Sequence, residues 1–494
     1  MTALAHPTVA DWSPRELVVD RVAAHAIAEA RRIFVLQRQA RWKVARSTGA
    51  ERQQKLRALG EAIARRRGEI AEAIREDFGK HPTETEITEI QLTLTELKDA
   101  AANVRRWMKG RRVGTPMHLF GTSSEIRYEA KGVVLIMAAW NFPFALIVAP
   151  LIAAIAAGNC CILRPSEKVP ASNRVLRRII AEVFNESEVA IVEGSAAAAD
   201  SLLSLPFDHI FFTGSTRVGH VVMAAAARTL ASVTLELGGK SPAIVDETAD
   251  VKLAAERIAW GKFLSAGQAC VAPDYALVHQ SRVAEFIAAA KQTVATFYGA
   301  TEDARAKSHD ISRVIDARSV ERLGALIEDA VRRGATVECG GRWDSSTRYV
   351  APTILSGVGM DAEIMQDEIF GPVLPVLTYA NTDELYRIIR SRGKPLAMYI
   401  FSRSRSKIED ALRNTSAGGS VVNNTLIHLA NPNLPFGGVG GSGFGSYHGE
   451  FGFQAFSHAR AVVRQGPFTV ARMLYPPYGP HTDRLVKWLD RLRA

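Results

Sequence analysis

The chain has 494 residues, of which 47% are hydrophobic and 23% are charged, and its mean hydropathy is close to zero. These values exclude disorder over most of the length and are typical of a globular protein large enough for two or more domains. The net charge of +10 is spread along the sequence. Its densest basic run, Arg65 to Arg67, lies among glutamates in a helical pattern, so we expect no nucleic-acid partner.

Four scattered cysteines without C-x-x-C spacing, and no apolar amino-terminal leader, predict a protein of a reducing compartment, and we expect it in the cytoplasm. The twelve histidines form no metal-binding motif, so no metal site is expected. The stretch between Lys131 and Arg164 lacks charge, but Asn141, Pro143 and Pro150 interrupt it. No integral membrane segment is therefore predicted.

Hydrophobic periodicity predicts the order of the elements. Residues 1–18 lack periodicity, and a helical front end extends from about Val19 to Gly110. A short strand at Ser123 to Tyr128 follows. Strands and helices then alternate from Val133 to Glu236, and again from Pro242 to about Asn424. This order predicts an α/β fold with two doubly wound parallel-sheet domains.

Three side chains in turns are candidates for catalysis. Cys270 lies in a glycine-bearing turn, residues 265–273, which suits a nucleophile, and an inert buried thiol is the alternative. Glu236 ends a predicted strand and is either a general base or the salt-bridge partner of Lys240. Asn141, in the turn at residues 140–143, either caps the backbone or stabilises an oxyanion.

Two strand ends are candidates for binding a nucleotide. A strand at Ile210 to Thr213 leads through Gly214 and Ser215 into a helix predicted from Gly219 to Leu230, and a helix N-terminus can hold a phosphate, although ordinary strand-to-helix turns share the pattern. After another strand, Glu167 can hold ribose hydroxyls and Arg164 can reach the adenosine side. The alternative is a helix start, capped by Ser166 and with Glu167 favouring the helix dipole.

Taken together and in this order, the segments resemble the aldehyde dehydrogenase superfamily over nearly the whole chain, as far as the run 456–458. Four runs are similar to its class 3 branch, which includes fatty, aromatic and coniferyl aldehyde dehydrogenases: RPSE at 164–167, GQACVAPDY at 267–275, LPFGGVG at 434–440 and YHG at 447–449. The resemblance implies that Cys270 is the nucleophile, that Glu236 is the general base, and that Asn141 and the Cys270 N–H form the oxyanion hole. It maps the cofactor contacts to Trp140, Arg164, Glu167, Gly214, Ser215, Val218, Glu368 and Phe370.

The resemblance also implies a reaction. The expected activity is NAD(P)-dependent oxidation of a hydrophobic aldehyde, aromatic and coniferyl-type or medium- to long-chain aliphatic, to the carboxylic acid through a thiohemiacetal and a thioester on Cys270. The family usually has lysine at the position of Arg164; Glu167 favours NAD, whereas Arg164 tolerates the phosphate of NADP, so NAD is expected first. His428 is interpreted as packing in a loop, in preference to contacting a polar group of the substrate.

Two alternatives stay open, a CoA-acylating aldehyde dehydrogenase and a catalytically silent binding protein on the same scaffold; the presence of Glu236 favours hydrolysis. The family pattern places a Rossmann-like NAD(P)-binding domain at residues 1–118 and 132–238, a catalytic domain at 239–445 and a small β oligomerisation arm at 119–131 and 456–475. A basic amphipathic helix, 476–494, is expected to pack on the protein's own surface rather than on a membrane. A homodimer is implied as well.

Overall fold

The structure, a computed structural model, describes residues 21–116, 119–467 and 475–491, so the expectation for residues 1–18 lies outside the described residues. The helices are α1 (Arg21–Ala45), α2 (Gly49–Arg65), α3 (Arg67–Phe78), α4 (Pro82–Thr85), α5 (Gln91–Trp107), α6 (Ala145–Ala157), α7 (Pro170–Val183), α8 (Ala196–Leu203), α9 (Thr216–Ala227), α10 (Val251–Phe263), α11 (Val283–Tyr298), α12 (Glu302–Lys307), α13 (Ala317–Arg332), α14 (Thr382–Arg390), α15 (Arg405–Asn414), α16 (Gly449–Ala455) and α17 (Pro480–Arg491). A π-helical turn, Glu86–Ile90, joins α4 to α5, and 3₁₀ turns lie at Leu264–Gly267, Gln280–Arg282, Glu363–Met365 and Ile427–Ala430.

The strands are β1 (Arg111–Val113), β2 (Thr122–Ala130), β3 (Val133–Met137), β4 (Cys160–Arg164), β5 (Val189–Ile191), β6 (His209–Thr213), β7 (Ser232–Glu236), β8 (Pro242–Val245), β9 (Tyr275–His279), β10 (Thr336–Cys339), β11 (Trp343–Asp344), β12 (Tyr349–Val350), β13 (Thr353–Ser356), β14 (Val373–Tyr379), β15 (Ala397–Phe401), β16 (Gly419–Val422), β17 (Gly443–Phe444) and β18 (Ser457–Gln465). The helical front end and the alternation of strands and helices are as the sequence predicts.

The helical front end covers one face of the first sheet. α2 begins at a capping box in which the Thr48 hydroxyl accepts from the Glu51 N–H and the Glu51 carboxylate accepts from the Thr48 N–H. Leu56, Leu59 and Ile63 are fully buried on one side of α2, at the spacing of an amphipathic helix. The front end therefore shares a hydrophobic core with α6 and α7.

The first large sheet has the strand order β17-β7-β6-β3-β4-β5, with β17 antiparallel to β7 and the other pairs parallel. Its central strands β3, β4 and β6 are buried along their whole length, as expected for a parallel sheet covered on both faces. Met137 lies opposite Arg164 and Phe212, and Thr213 lies opposite Glu236. The carboxyl ends of four neighbouring strands thus lie at one edge.

The second large sheet has the order β10-β13-β14-β9-β8-β15-β16, in which β10 alone is antiparallel to its neighbour. Five residues, 237–241, connect β7 of the first sheet to β8 of the second. The predicted α/β fold with two parallel-sheet domains is confirmed, and the short connection keeps the carboxyl end of β7 beside the second sheet.

A smaller antiparallel sheet, β1-β2-β18, forms an arm in which β18 pairs with β2 from Ser457 opposite Ala130 to Gln465 opposite Thr122. The carboxyl-terminal helix α17 follows. Across the ranges that the structure describes, no helix has the length and hydropathy needed to traverse a lipid bilayer.

Candidate active site

The turn that carries Cys270 has an unusual backbone. After α10, residues Ser265, Ala266 and Gly267 have φ angles of 51°, 52° and 70°, all in the left-handed region. Side chains rarely adopt this conformation, so the surroundings must hold it in place. A Cβ at Gly267 would collide with the carbonyl oxygen of Gly371, which explains glycine at this position.

Gln268 fixes this turn from inside. Its side chain is fully buried; Nε2 donates to the carbonyl oxygens of Ser265 (3.0 Å) and Arg313 (3.1 Å), and Oε1 accepts from the Ile315 N–H (3.0 Å). Because both ends of the amide are bound, the turn is tied to the segment that precedes α13. Sequence reasoning missed this role, although glutamine within an otherwise small and apolar turn was a visible signal.

Cys270 is partly buried beside two acidic side chains. Burial raises the pKa of the Cys270 thiol to about 12, the charges of Glu368 and Glu236 act in the same direction, and the N–H groups of Cys270 and Val271 oppose them. A thiolate is the reactive form of cysteine. The thiol therefore needs a base when it reacts.

Glu236, at the end of β7, is 2% exposed, and neither carboxylate oxygen has a hydrogen-bond partner within the described parts of the chain. Burial raises its pKa well above the usual range. The alternative of a salt bridge to Lys240 is wrong, because Lys240 pairs with Asp274 and donates to the carbonyl oxygens of Ile364 and Asp367, both at 2.9 Å. Glu236 is thus a buried, unpaired carboxyl group close enough to act electrostatically on Cys270.

Asn141 is 3% exposed and lies in the turn after β3. Its Nδ2 donates to the carbonyl oxygen of Gln268 over 2.9 Å, which brings it to the Cys270 turn. An amide nitrogen carries two hydrogens, so one is left for a second acceptor. The three predicted catalytic residues are therefore brought together at the edge between the two large sheets.

Gly214, Ser215 and Val218 form the start of α9, which begins at Thr216 and not at Gly219 as predicted. The Ser215 hydroxyl accepts from the Val218 N–H (3.4 Å) and caps the helix. A Cβ at Gly214 would collide with the Phe212 ring. Apart from that of Val218, the N–H groups at the helix start have no acceptor within the helix, so this twelve-residue helix presents them to the strand ends, where a phosphate group fits.

Arg164 is buried, and its guanidinium donates to the carbonyl oxygens of Pro165 (2.6 Å) and Gly194 (2.8 Å) and forms an ion pair with Glu167 (2.9 Å). These contacts join the carboxyl end of β4 to the loop after β5. The Glu167 side chain is 53% exposed at the same edge of the sheet. Arg164 is therefore mostly occupied by protein groups, whereas Glu167 is open to solvent.

The remaining cofactor candidates face this edge from two loops. The rings of Trp140 and Phe370 meet edge to face with their centroids 5.5 Å apart. Glu368 accepts from the Gly239 N–H, and a Cβ at Gly238 would collide with its carboxylate. Burial, with the charge of Asp274, raises the pKa of Glu368 to about 8. The N-terminus of α9, the exposed carboxylate and the aromatic pair are the groups that a dinucleotide needs, so the residues present fit NAD(P).

Tyr447, which sequence reasoning did not assign, is buried in an aromatic cluster beside the candidate catalytic residues. Its ring lies 5.1 Å from Phe211 and 5.6 Å from Phe436, measured between centroids. Burial raises its pKa, and the charges of Glu236 and Cys270 contribute in the same direction. His428 packs 5.8 Å from Phe436; both of its ring nitrogens are buried without a hydrogen-bond partner in the ranges described, and burial lowers its pKa to about 4.

Comparison with known proteins identifies the family. Residues 9–462 match the model of the aldehyde dehydrogenase family. The chain belongs to this family. It is 44% identical over 427 residues to the 4,4'-diaponeurosporen-aldehyde dehydrogenase of Staphylococcus aureus, covering 86% of this chain and 92% of that one. It is 43% identical over 422 residues to aldehyde dehydrogenase family 3 member H1 of Arabidopsis thaliana, covering 85% and 86% of the two chains.

Among solved structures, the substrate-bound state of Staphylococcus aureus AldH superposes with a TM-score of 0.89 at 41% identity, covering 93% of this chain and 99% of that chain. The expected membership of the class 3 branch is confirmed by the relatives named as aldehyde dehydrogenase family 3 members, such as the one from Arabidopsis thaliana. The protein is an aldehyde dehydrogenase that oxidises an aldehyde to a carboxylic acid with NAD(P).

Proposed function

We propose that this aldehyde dehydrogenase acts through Cys270 as nucleophile, Glu236 as general base and Asn141 with the Cys270 N–H as oxyanion hole. The observation that carries the proposal is Glu236, a buried carboxyl group beside the thiol that has no hydrogen-bond partner among the residues that the structure describes. Burying such a group costs stability, and strongly shifted pKa values in a cleft are typical of functional sites. This combination argues against a catalytically silent scaffold.

In the first step the Cys270 sulfur bonds to the aldehyde carbon while Glu236 accepts the thiol proton. The carbonyl oxygen becomes an oxyanion, which accepts from Asn141 Nδ2–H and from the Cys270 N–H. NAD(P), when bound, supplies the acceptor for the hydride that leaves as the C–H bond breaks. Asn141 can serve because its second amide hydrogen is not needed by Gln268.

Glu236 then releases the thiol proton to solvent. In the second step the ionised Glu236 removes a proton from water, and the water oxygen attacks the thioester on Cys270. The C–S bond breaks, the acid leaves, and the sulfur regains a proton. A carboxylate whose pKa is raised by burial is a stronger base than one in water, which suits Glu236 to this step. Formation of acyl-CoA in place of free acid when CoA is added would contradict hydrolysis.

We propose NAD as the preferred cofactor, held by Trp140, Arg164, Glu167, Gly214, Ser215, Val218, Glu368 and Phe370. Glu167 offers a carboxylate for ribose hydroxyls and opposes a 2′-phosphate by like charge, while the contacts of Arg164 with Pro165, Gly194 and Glu167 leave it poorly placed to bind that phosphate. We expect kcat/KM to be about tenfold or more higher with NAD than with NADP. The reverse preference would contradict this assignment.

For the substrate we propose a hydrophobic aldehyde, aromatic and coniferyl-type or medium- to long-chain aliphatic. The aromatic cluster of Tyr447 and Phe436 beside the catalytic carboxyl group supports an apolar substrate. A panel of benzaldehyde, coniferaldehyde, a series of linear alkanals and acetaldehyde, followed by NADH formation, tests it. Acetaldehyde as the best substrate by kcat/KM would contradict the proposal.

We further propose a homodimer assembled through the β2–β18 arm, where Phe120 and Val463 expose 71% and 59% of their surface. Light scattering after size exclusion distinguishes a dimer from a monomer, and replacing Val463 by aspartate is expected to weaken the dimer. All four cysteines are free thiols, which supports a reducing compartment such as the cytoplasm. The domain boundaries given above remain predictions that limited proteolysis can test.

A further inference from the structure

A buried ion pair lies beneath the turn that carries Asn141. Neither Lys80 nor Glu89 exposes any side-chain surface, and Lys80 Nζ lies 2.9 Å from Glu89 Oε1. Glu89 Oε2 accepts from the N–H groups of Phe144 (2.9 Å) and Ala145 (3.2 Å), at the start of α6. The Lys80 ammonium also lies 4.1 Å from the centroid of the Phe142 ring. The pair therefore holds the backbone immediately after Asn141.

A second glutamate of the same segment holds the nucleophile turn. Glu84 Oε1 accepts from the Ser265 N–H over 2.9 Å. Ser265 is the first residue of the left-handed run that leads to Cys270. Because a left-handed residue cannot continue the helical hydrogen-bond pattern, its N–H needs an acceptor from elsewhere in the protein. Glu84 provides that acceptor.

The π-helical turn Glu86–Ile90 lies between these two glutamates and continues to Gln91, whose N–H donates to the Glu86 carbonyl oxygen. In an α-helix, residues five apart point in different directions, since each turn takes 3.6 residues. The i to i+5 hydrogen bonds of a π-turn bring such residues closer to one face, and π-turns are frequent at functional sites. Glu84 and Glu89 face the two catalytic turns, while Glu86 pairs with Arg67 instead.

We infer that residues 80–91 form a clamp that sets the position of the oxyanion donor relative to the nucleophile, with Glu89 and Lys80 positioning the Asn141 turn and Glu84 positioning the Cys270 turn. This inference rests on the catalytic roles proposed above for Asn141 and Cys270. The three clamp side chains touch backbone and an aromatic ring, so they are positioning residues. A buried ion pair contributes little net stability, which fits a role in geometry.

A double-mutant cycle between Glu89 and Asn141 tests the clamp. Glu89→Asp keeps the charge opposite Lys80 but withdraws the carboxylate from Phe144 and Ala145 by one methylene. If Glu89 acts through Asn141, E89D lowers kcat about tenfold in the otherwise native enzyme and less than about twofold in the N141A background. Rates are expressed per folded protein, as judged by circular dichroism, so that unfolded protein does not count.

Equal losses in both backgrounds, or no loss in either, would overturn the positioning role of Glu89. If E89D does not fold, as judged by circular dichroism, the double variant K80M/E89Q replaces the pair with neutral groups of similar size while keeping a carbonyl acceptor at residue 89. It enters the same cycle. If the pair positions Asn141, K80M/E89Q lowers kcat in the otherwise native enzyme, and that loss disappears in the N141A background. An equal loss of kcat in both backgrounds, or no loss in either, overturns the positioning role.

The nucleophile side of the clamp is tested at Glu84. Glu84→Leu removes the acceptor for the Ser265 N–H, and we expect kcat per folded protein to fall about tenfold. Glu84→Gln keeps a carbonyl acceptor and is expected to stay within about twofold of the native enzyme. Glu86→Gln, on the same segment but directed to Arg67, is the matched control. Equal effects of E84L and E84Q would overturn positioning through this hydrogen bond.

Different results would contradict the catalytic proposal and the clamp. If C270A or N141A keeps native kcat, the proposed catalytic roles are wrong, and so is the clamp, which depends on them. If both variants lose activity while the Glu89 and Glu84 variants show no coupling, the clamp alone is wrong.

Discussion

Asn141 donates from Nδ2 to the carbonyl oxygen of Gln268 over 2.9 Å, and this single hydrogen bond joins the two turns that the catalytic proposal depends on. Asn141 follows β3 of the first sheet, and Gln268 precedes β9 of the second. A change in the packing of one sheet against the other therefore moves the oxyanion donor relative to the nucleophile. Catalysis in this protein should be sensitive to substitutions that never touch the substrate.

Replacing Asn141 by alanine is expected to lower kcat by about 10²- to 10³-fold, the usual cost of removing one oxyanion donor. KM should change much less, because the oxyanion exists only after attack. Steady-state kinetics with the best aldehyde measures both. Asn433→Ala, an exposed loop substitution, serves as control. A large rise in KM at native kcat would instead assign Asn141 to ground-state binding.

Glu236→Gln is expected to lower steady-state kcat by about 10²- to 10⁴-fold through loss of the base for hydrolysis. Acylation can still proceed slowly through the small thiolate fraction, so a burst of NADH approaching the number of active sites should precede the slow phase. Rapid-mixing absorbance records the burst, and mass spectrometry of the quenched enzyme locates the acyl group on Cys270. Glu328→Gln, an exposed substitution on α13, is the control. Native steady-state turnover by E236Q would contradict the assignment.

The Cys270 thiol should become more reactive when Glu368 is neutralised. Burial is the largest cause of its high pKa, about 12, and the charge of Glu368 comes next, so Glu368→Gln should lower that pKa. The thiolate fraction at pH 9 then rises, and iodoacetamide alkylation of Cys270 should be faster than in the native enzyme. Glu363→Gln, exposed on the neighbouring 3₁₀ turn, should leave the rate unchanged. A slower rate in E368Q would mean that Glu368 assists ionisation.

The sequence predicts candidate catalytic residues more readily than the residues that position them. Cys270, Glu236 and Asn141 stand in local patterns, namely a glycine-bearing turn, a strand end and a turn between buried elements. Gln268 binds the carbonyl oxygen of Arg313, 45 residues away in the sequence, and Glu89 binds the N–H of Phe144, 55 residues away. Such contacts leave no local pattern, because only the packing of distant segments brings the groups together.

The start of α9 shows the same limit at short range. The residue pattern predicts a start at Gly219, whereas Ser215 caps a helix that begins at Thr216. The β-branched and basic residues before Gly219 hid a first turn that the Ser215 hydroxyl stabilises. The parallel-sheet fold itself was predictable, since buried strands and amphipathic helices alternate in an order that few folds share.

The stability of the enzyme should depend on pH through Glu84, whose pKa burial raises from 4.5 to about 7 against the opposing effects of Lys80 and the Ser265 N–H. A raised carboxyl pKa means that its contribution to stability is complete below pH 4.5 and is lost as pH rises to 7. Glutamine does not titrate, so Glu84→Gln avoids this loss of stability. The Tm of E84Q minus the Tm of the native protein should therefore increase as the pH rises from 5 to 7.5.

Glu86→Gln is the matched control for that measurement. The hydrogen bond from Arg67 lowers the pKa of Glu86, so Glu86 stays ionised over the whole interval and its Tm difference should be flat. Differential scanning calorimetry at several pH values gives both curves. A flat difference for E84Q as well would show that Glu84 does not titrate in this range.

Gly443 of β17 lies opposite Glu236 and closes the edge of the first sheet at the residue proposed as base. A chain still being synthesised has β7 as an open sheet edge until the whole second sheet has been made. During that time the Glu236 carboxyl group lacks the backbone that later encloses it. The surroundings of the proposed base are therefore completed late in synthesis, although Asn141 and Cys270 are made earlier.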